Sequence, residues 1–151
     1  MTYPLNGVRV LDLSRVLAGP FAGRMLSDLG ADVVKLEPPQ QDLTRLWGAV
    51  IGDVPGYFHQ QNAGKRDVCI DLSVHDGLAL AKQLAANADI VIENFRPGVM
   101  DRLGLGYEQL KAVRKDLILL SISGFGQDSP ESQRMAYAAV IHAESGLVQR
   151  Q

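Results

Sequence analysis

Apolar residues recur along this chain at two spacings, and the alternation between them predicts its elements. Gly7-Val8-Arg9-Val10-Leu11-Asp12-Leu13 is apolar and β-branched behind a turn residue, the pattern of a buried strand. Ser14 to Gly19 follows as a loop, and Pro20 suits the first position of a helix, where its missing N–H costs nothing. From Phe21 to Leu29 the apolar positions Phe21, Met25, Leu26 and Leu29 fall on one helix face, with Gly30 as the stop. Ala31 to Leu36 reads as a second strand, ended by Pro38-Pro39. A parallel strand–helix–strand unit of this kind places the loop after its first strand at the carboxyl edge of the sheet. In open α/β sheets that edge binds ligands.

The rhythm resumes after one interruption. Residues 38–65 lack clear periodicity; the spacing suggests one short helix around Gln40–Gly48, with Trp47 as a packing anchor, and another around Tyr57–Asn62. A connection this long usually carries function or its own small structure. Asp67 to Leu72 is the third strand, and Cys69 within it is expected in the core rather than as a nucleophile. Ser73 suits a helix cap, Asp76 the first turn, and Leu78, Leu80, Ala81 and Leu84 one apolar helix face. Asp89–Glu93 is the fourth strand. Asn94–Leu103 reads as a turn and a short helix started by Pro97, and Tyr107–Val113 as another helix. Leu117–Ile122 is the fifth strand, with the near-continuous apolar run of a central parallel strand. Gly124–Pro130 is a loop, and Met135–Val148 suggests a final helix. These elements predict an α/β fold: a Rossmann-like, three-layer domain with a mainly parallel sheet over residues 1–151 and no internal boundary.

Composition narrows the function classes. The chain has 151 residues, 46% hydrophobic and 21% charged, which suits one soluble domain with a real core. A net charge of −2 gives no bulk electrostatic reason to expect a nucleic acid or a membrane surface as partner. The single cysteine forbids a disulfide within the chain and fits a reducing compartment. The amino terminus lacks a signal-peptide layout and no apolar run reaches membrane-spanning length, so a cytoplasmic location is expected. No metal-ligand set is expected.

Three loops follow strand ends: Ser14–Gly19, Asn94–Gly98 and Ser123–Gln127. Right-handed crossovers put all three on one edge of the sheet. Each combines small residues with hydrogen-bonding or basic groups, and Arg15, Arg96 and Arg102 could meet phosphates there. Tight turns and solvated arginines would explain any one loop; the three together favour a nucleotide-like ligand. The chain has neither a GxGxxG fingerprint nor a P-loop, so a standard dinucleotide or ATP site lacks support.

Longer motifs carry a resemblance. Leu11-Asp12-Leu13-Ser14-Arg15-Val16-Leu17-Ala18-Gly19-Pro20, with Leu29-Gly30-Ala31-Asp32-Val33-Val34-Lys35-Leu36-Glu37-Pro38-Pro39, resembles the opening of class III CoA-transferases, the CaiB/BaiF family. Asn62-Ala63-Gly64-Lys65-Arg66, Glu93-Asn94-Phe95-Arg96-Pro97-Gly98 with Leu103-Gly104-Leu105-Gly106-Tyr107, and Ser121-Ile122-Ser123-Gly124-Phe125-Gly126-Gln127 continue the likeness in order. Family members are usually longer, so the chain resembles an amino-terminal portion of one.

The resemblance implies an enzyme that moves CoA from an acyl-CoA thioester to a carboxylic acid through an aspartyl anhydride. By position, the nucleophilic aspartate is expected beyond Gln151, leaving no catalytic residue within these 151 residues. It implies coenzyme A as ligand, with Val16, Leu17 and Ala18 at the pantetheine and thioester end and Ile70, Asp71 and Leu72 by the adenine. Asn94, Phe95 and Arg96 would contact adenosine or pyrophosphate, Arg102 would face phosphate, and Arg134 falls where some members place a basic residue on CoA. Pro38 stands where some members carry an adenine-stacking arginine. The implied assembly is an interlocked homodimer. Asp128 reads as a solvated loop carboxylate and Asp12 and Asp71 as structural. A racemase relative would place histidine then aspartate where this chain has Tyr137-Ala138, and tyrosine is a poor proton shuttle at neutral pH. His142 is more simply packed or solvated. The rival from another class is a truncated, non-catalytic CoA-binding or interaction module.

Overall fold

The computed structural model describes residues 2–150, the side chains of Ile51 and Arg150 excepted. Five parallel strands form the main sheet: β1 (Arg9–Asp12), β2 (Asp32–Glu37), β5 (Arg66–Cys69), β6 (Ile90–Glu93) and β7 (Ile118–Ser121). Their order across the sheet is β5-β2-β1-β6-β7. The two halves run outward from β1 in opposite senses, so the order reverses between β1 and β6. Between β2 and β5 lie a 3-10 turn (Leu43–Leu46), a two-stranded hairpin of β3 (Val50–Ile51) and β4 (Val54–Pro55), and helix α2 (Gly56–Asn62). Helices α1 (Ala18–Asp28), α3 (His75–Ala86), α4 (Val99–Arg102), α5 (Tyr107–Val113) and α6 (Ala138–Glu144) complete the order.

Two apolar layers flank the sheet. Leu11, Leu13, Leu36 and Val91 pack with Ala81 and Ala85 of α3 and Leu110 of α5 on one face. Val10, Val33 and Ile92 pack with Leu26 of α1 on the other. Helices on both faces of a parallel sheet make the three-layer, Rossmann-like α/β domain that the periodicity predicts.

Several local expectations are corrected. Helix α1 starts at Ala18, so Pro20 is its third residue, still in the turn that needs no N–H partner. Its apolar stripe does not face the core: Phe21, Met25 and Leu29 are 51%, 51% and 44% exposed. The buried seam is Gly19, Pro20 and Gly23, with Leu26 partly covered. A Cβ at Gly19 would strike the Ser14 side chain, and one at Gly23 would lie 2.6 Å from Asp12 Oδ2. Glycine at both positions lets the helix lie directly on a polar cluster.

Cys69 is exposed rather than buried, because β5 is the sheet edge and pairs only with β2. Strand β7, expected at the centre, is the other edge, and Ile118 is 60% exposed. Ser73 does not cap α3; Val74 stands at that position, and the Ser73 hydroxyl donates to Asp71 instead. Leu80 is also exposed. Trp47 meets Tyr57 edge-on at 5.6 Å but keeps 39% of its surface open. The hairpin beside it was not foreseen. The tail forms only the short α6 and a 3-10 turn at Leu147–Arg150. Among the described residues no helix is long and apolar enough to cross a membrane.

Candidate functional site

The site begins where β1 ends. Asp12, Ser14, Lys35 and Asp42 are all buried there. Asp12 Oδ1 accepts the Ser14 N–H at 2.9 Å and the Ser14 hydroxyl. Asp12 Oδ2 accepts the Lys65 ammonium at 2.7 Å. That ammonium also donates to the Pro20 carbonyl at 2.8 Å and to Asn62 Oδ1 at 2.9 Å. One strand over, the Lys35 ammonium donates to the Ser14 carbonyl at 2.8 Å and to Asp42 Oδ2 at 3.2 Å. Asp42 Oδ1 accepts the backbone N–H and the hydroxyl of Thr44 at 3.0 and 2.9 Å. Two opposite-charge pairs thus interlock beneath the loop.

Buried charges of this kind persist only when each has a counter-charge and its remaining hydrogen-bonding capacity is used. Burial pushes the Asp42 carboxyl up, but the Thr44 and Val16 hydrogen bonds and Lys35 outweigh it and hold it below its ordinary value. Burial pulls the Lys65 ammonium below the usual lysine range, with Asp12 working against that pull.

The second loop meets the first across the reversal point. Glu93 ends β6 buried, and its Oε2 accepts the Phe95 N–H at 2.8 Å; burial pushes its carboxyl up. Asn94 grips the backbone of Arg15 on both sides: Oδ1 accepts the Arg15 N–H at 2.8 Å and Nδ2 donates to the Arg15 carbonyl at 2.7 Å. The Arg15 guanidinium lies over the Phe95 ring, 5.4 Å from its centroid. Beside these loops opens a cleft of about 290 Å³, lined by Arg15, Pro38, Gln40 and Ile70–Ser73. Ile70 and Leu72 supply its apolar lining. At its rim the Asp71 carboxylate accepts the Ser73 hydroxyl at 2.6 Å and N–H at 2.8 Å, which lowers its pKa. An arginine beside apolar Ile70 and Leu72 at the carboxyl edge of a parallel sheet suits a flat base bearing phosphates.

The structure brings some candidates together and separates others. Val16 is half-buried, Leu17 and Ala18 are exposed, and all three sit where the first loop enters α1. Ile70, Asp71 and Leu72 share the cleft with Arg15. Asn94 and Phe95 touch the first loop, with the Asn94 amide engaged by Arg15. Arg96 is exposed and has no ion-pair partner among the described residues. Arg102 is exposed, and its Nη1 lies so near Gly98 that an added Cβ would stand 3.4 Å away. Arg134 lies outside the cleft lining: it pairs with Glu131 at 3.5 Å and with Glu144, and stacks over Phe125 at 5.2 Å. Gln133 ties that segment to the second loop through the Pro97 carbonyl at 3.5 Å. Asp128, Tyr137 and His142 are exposed, and Asp12 is buried in its ion pair.

The site reading did not include Gln40, Ser73 or the support from Lys35 and Asp42. The signal available for the latter pair was a lysine inside an apolar strand run, followed by an Asp-Leu-Thr turn. Among the described residues no group of three or more His, Cys, Asp or Glu side chains gathers as a metal site.

Comparison with known proteins adds the following. The profile of CoA-transferase family III matches residues 5–151. The chain is 43% identical to succinate–glutarate CoA-transferase of Agrobacterium fabrum, across 96% of this chain and 38% of that protein. It is 44% identical to human succinyl-CoA:glutarate CoA-transferase, across 96% of this chain and 34% of that protein. A crystal structure of a CaiB/BaiF family protein from Brucella suis superposes with a TM-score of 0.91 at 44% identity, covering 97% of this chain and 40% of that one. The chain therefore spans little more than a third of the length of the curated relatives it matches.

Proposed function

The chain belongs to CoA-transferase family III, and we propose that it carries the CoA-binding part of an enzyme that moves CoA from an acyl-CoA thioester to a carboxylic acid. The observation that supports this most is the cleft at the carboxyl edge, where Arg15, Ile70, Asp71 and Leu72 meet beside the loop of Val16, Leu17 and Ala18. The adenine would lie on Ile70–Leu72. Arg96 and Arg102, exposed on the second loop and the helix behind it, would face the phosphates. The pantetheine arm would then run toward Val16–Ala18. Arg134 would reach the ligand only by giving up its pairing with Glu131 and Glu144.

The chemistry proposed is covalent. An aspartate beyond Gln151 attacks the thioester carbonyl, the carbon–sulfur bond breaks, and CoA leaves as its thiolate from an aspartyl anhydride. The thiolate then attacks the aspartyl carbonyl and frees the first acid. The second carboxylate attacks the resulting aspartyl-CoA thioester and expels the thiolate. The thiolate attacks the incoming acyl carbonyl of that second anhydride, giving the new acyl-CoA and the free aspartate. The two curated relatives are named for succinate or succinyl-CoA and glutarate, which supports a dicarboxylic acid as donor or acceptor. An interlocked homodimer is the assembly we propose, supported by the family resemblance and by the uncovered stripe of Phe21, Met25 and Leu29. A cytoplasmic location is proposed from the single cysteine, which leaves no disulfide within these residues.

The test is direct. The protein as encoded is incubated with succinyl-CoA and glutarate, and glutaryl-CoA is sought by mass spectrometry. We expect its formation; no acyl-CoA exchange across a panel of carboxylic acids would refute the proposal.

A further inference from the structure

Val16 has a backbone conformation that its side chain opposes. Its φ is +69°. For a β-branched residue the left-handed region brings Cβ against the following carbonyl, and such a residue is a genuine outlier. Strain of this kind persists only where the surroundings over-determine it. Here they do. The Val16 N–H is shared between both carboxylate oxygens of Asp42, at 3.1 and 3.3 Å. The preceding Arg15 peptide is gripped by Asn94, and the Ser14 carbonyl by Lys35. Asp42 is itself immobilised. It is 1% exposed, pairs with Lys35, and receives two hydrogen bonds from Thr44.

We propose that Asp42 is a positioning residue, whose buried carboxylate holds Val16 in the left-handed conformation and so sets the Arg15–Ala18 loop in the form that receives CoA. The inference rests on the CoA reading of that loop. Asp42 is too deeply buried to meet a ligand, so any effect on affinity must pass through the loop. Without its grip the loop would relax to an ordinary φ. The fraction of molecules ready to bind would then fall by the factor the strain represents, about tenfold.

The experiment combines three substitutions in the protein as encoded, read by calorimetric titration with CoA and by hydrogen exchange at the Val16 amide. Asp42→Asn should weaken CoA binding about tenfold and speed exchange of the Val16 amide by more than the uniform increase that losing the Lys35 counter-charge gives the β1 and β2 amides. Thr44→Val leaves the carboxylate and its Lys35 pair in place and should give the same signs at smaller size; it decides the matter if Asp42→Asn does not fold. In the Val16→Gly background, where the left-handed form carries no penalty, Asp42→Asn should cost threefold or less. Folded Asp42→Asn or Thr44→Val protein that binds CoA like the parent would overturn the proposal. So would an equal loss in the Val16→Gly background. If the parent protein binds no CoA at all, the functional reading fails, while exchange at Val16 still decides whether Asp42 holds the loop.

Discussion

Removing one charge from the pairs beneath the first loop should be costly. Lys65→Met leaves the Asp12 carboxylate buried without its counter-charge, since both side chains are at most 1% exposed. We expect a loss of about 3–5 kcal/mol in urea unfolding; a loss under about 1 kcal/mol would mean that water reaches Asp12. Glu93 should behave in the opposite sense. Its folded pKa lies above the unfolded value because burial opposes ionisation. Its contribution is therefore present at low pH and lost as pH rises through the folded value. Glu93→Gln keeps an oxygen for the Phe95 N–H and cannot ionise. Thermal melts should show the variant gaining on the parent as pH rises above about 4; a constant difference would contradict the shift. Single residues of the site were legible unevenly. Arg15 and Asn94 stood out as polar groups beside small residues at strand ends. The grip of Asn94 on Arg15 spans 79 positions, and no local pattern reports a contact at that distance along the chain.

At the scale of elements, α1 shows what periodicity can and cannot read. Its spacing of Phe21, Met25 and Leu29 correctly announces a helix but assigns the wrong face to the core. A seam of glycines over buried charges has no apolar signature, so hydropathy is blind to it. Gly23→Ala should test that seam. Alanine favours a helix interior over glycine by about 1 kcal/mol, yet its Cβ would fall 2.6 Å from Asp12 Oδ2 and 3.1 Å from Lys65 Nζ. We expect a net loss of about 1–3 kcal/mol in denaturant unfolding; a gain would show the helix free to move off the cluster. The five strands of the main sheet were likewise plain from apolar runs, whereas their positions in it were not. An apolar run reads the same at the edge as at the centre, which is why Cys69 reads as a core residue and β7 as a central strand although β5 and β7 are the edges. The loop after β6 carries its own prediction. Arg96→Ala and Arg102→Ala should each weaken CoA binding by about 1–3 kcal/mol if the contacts are charge-assisted. Unchanged dissociation constants for both would reduce them to surface charges.

For the whole molecule, topology links these pieces. Parallel strands put the ends of β1, β2, β5, β6 and β7 on one edge, and the order reverses between β1 and β6. The two loops that grip each other flank that reversal, and the cleft adjoins them, so fold and candidate site are one construction. The three-layer α/β class was legible because strand and helix periods alternate over most of the chain. The family was legible because its motifs are long and ordered. The polar support under the site was not, since it depends on which distant residues the sheet brings together. The claim on which the rest stands is that CoA occupies this edge. Hydrogen–deuterium exchange of the protein as encoded, with and without CoA, tests it most directly. We expect protection concentrated in residues 14–19, 70–73 and 94–102, with the hairpin at residues 50–55 unchanged. Protection absent from all three loops, in protein that demonstrably binds CoA, would contradict it.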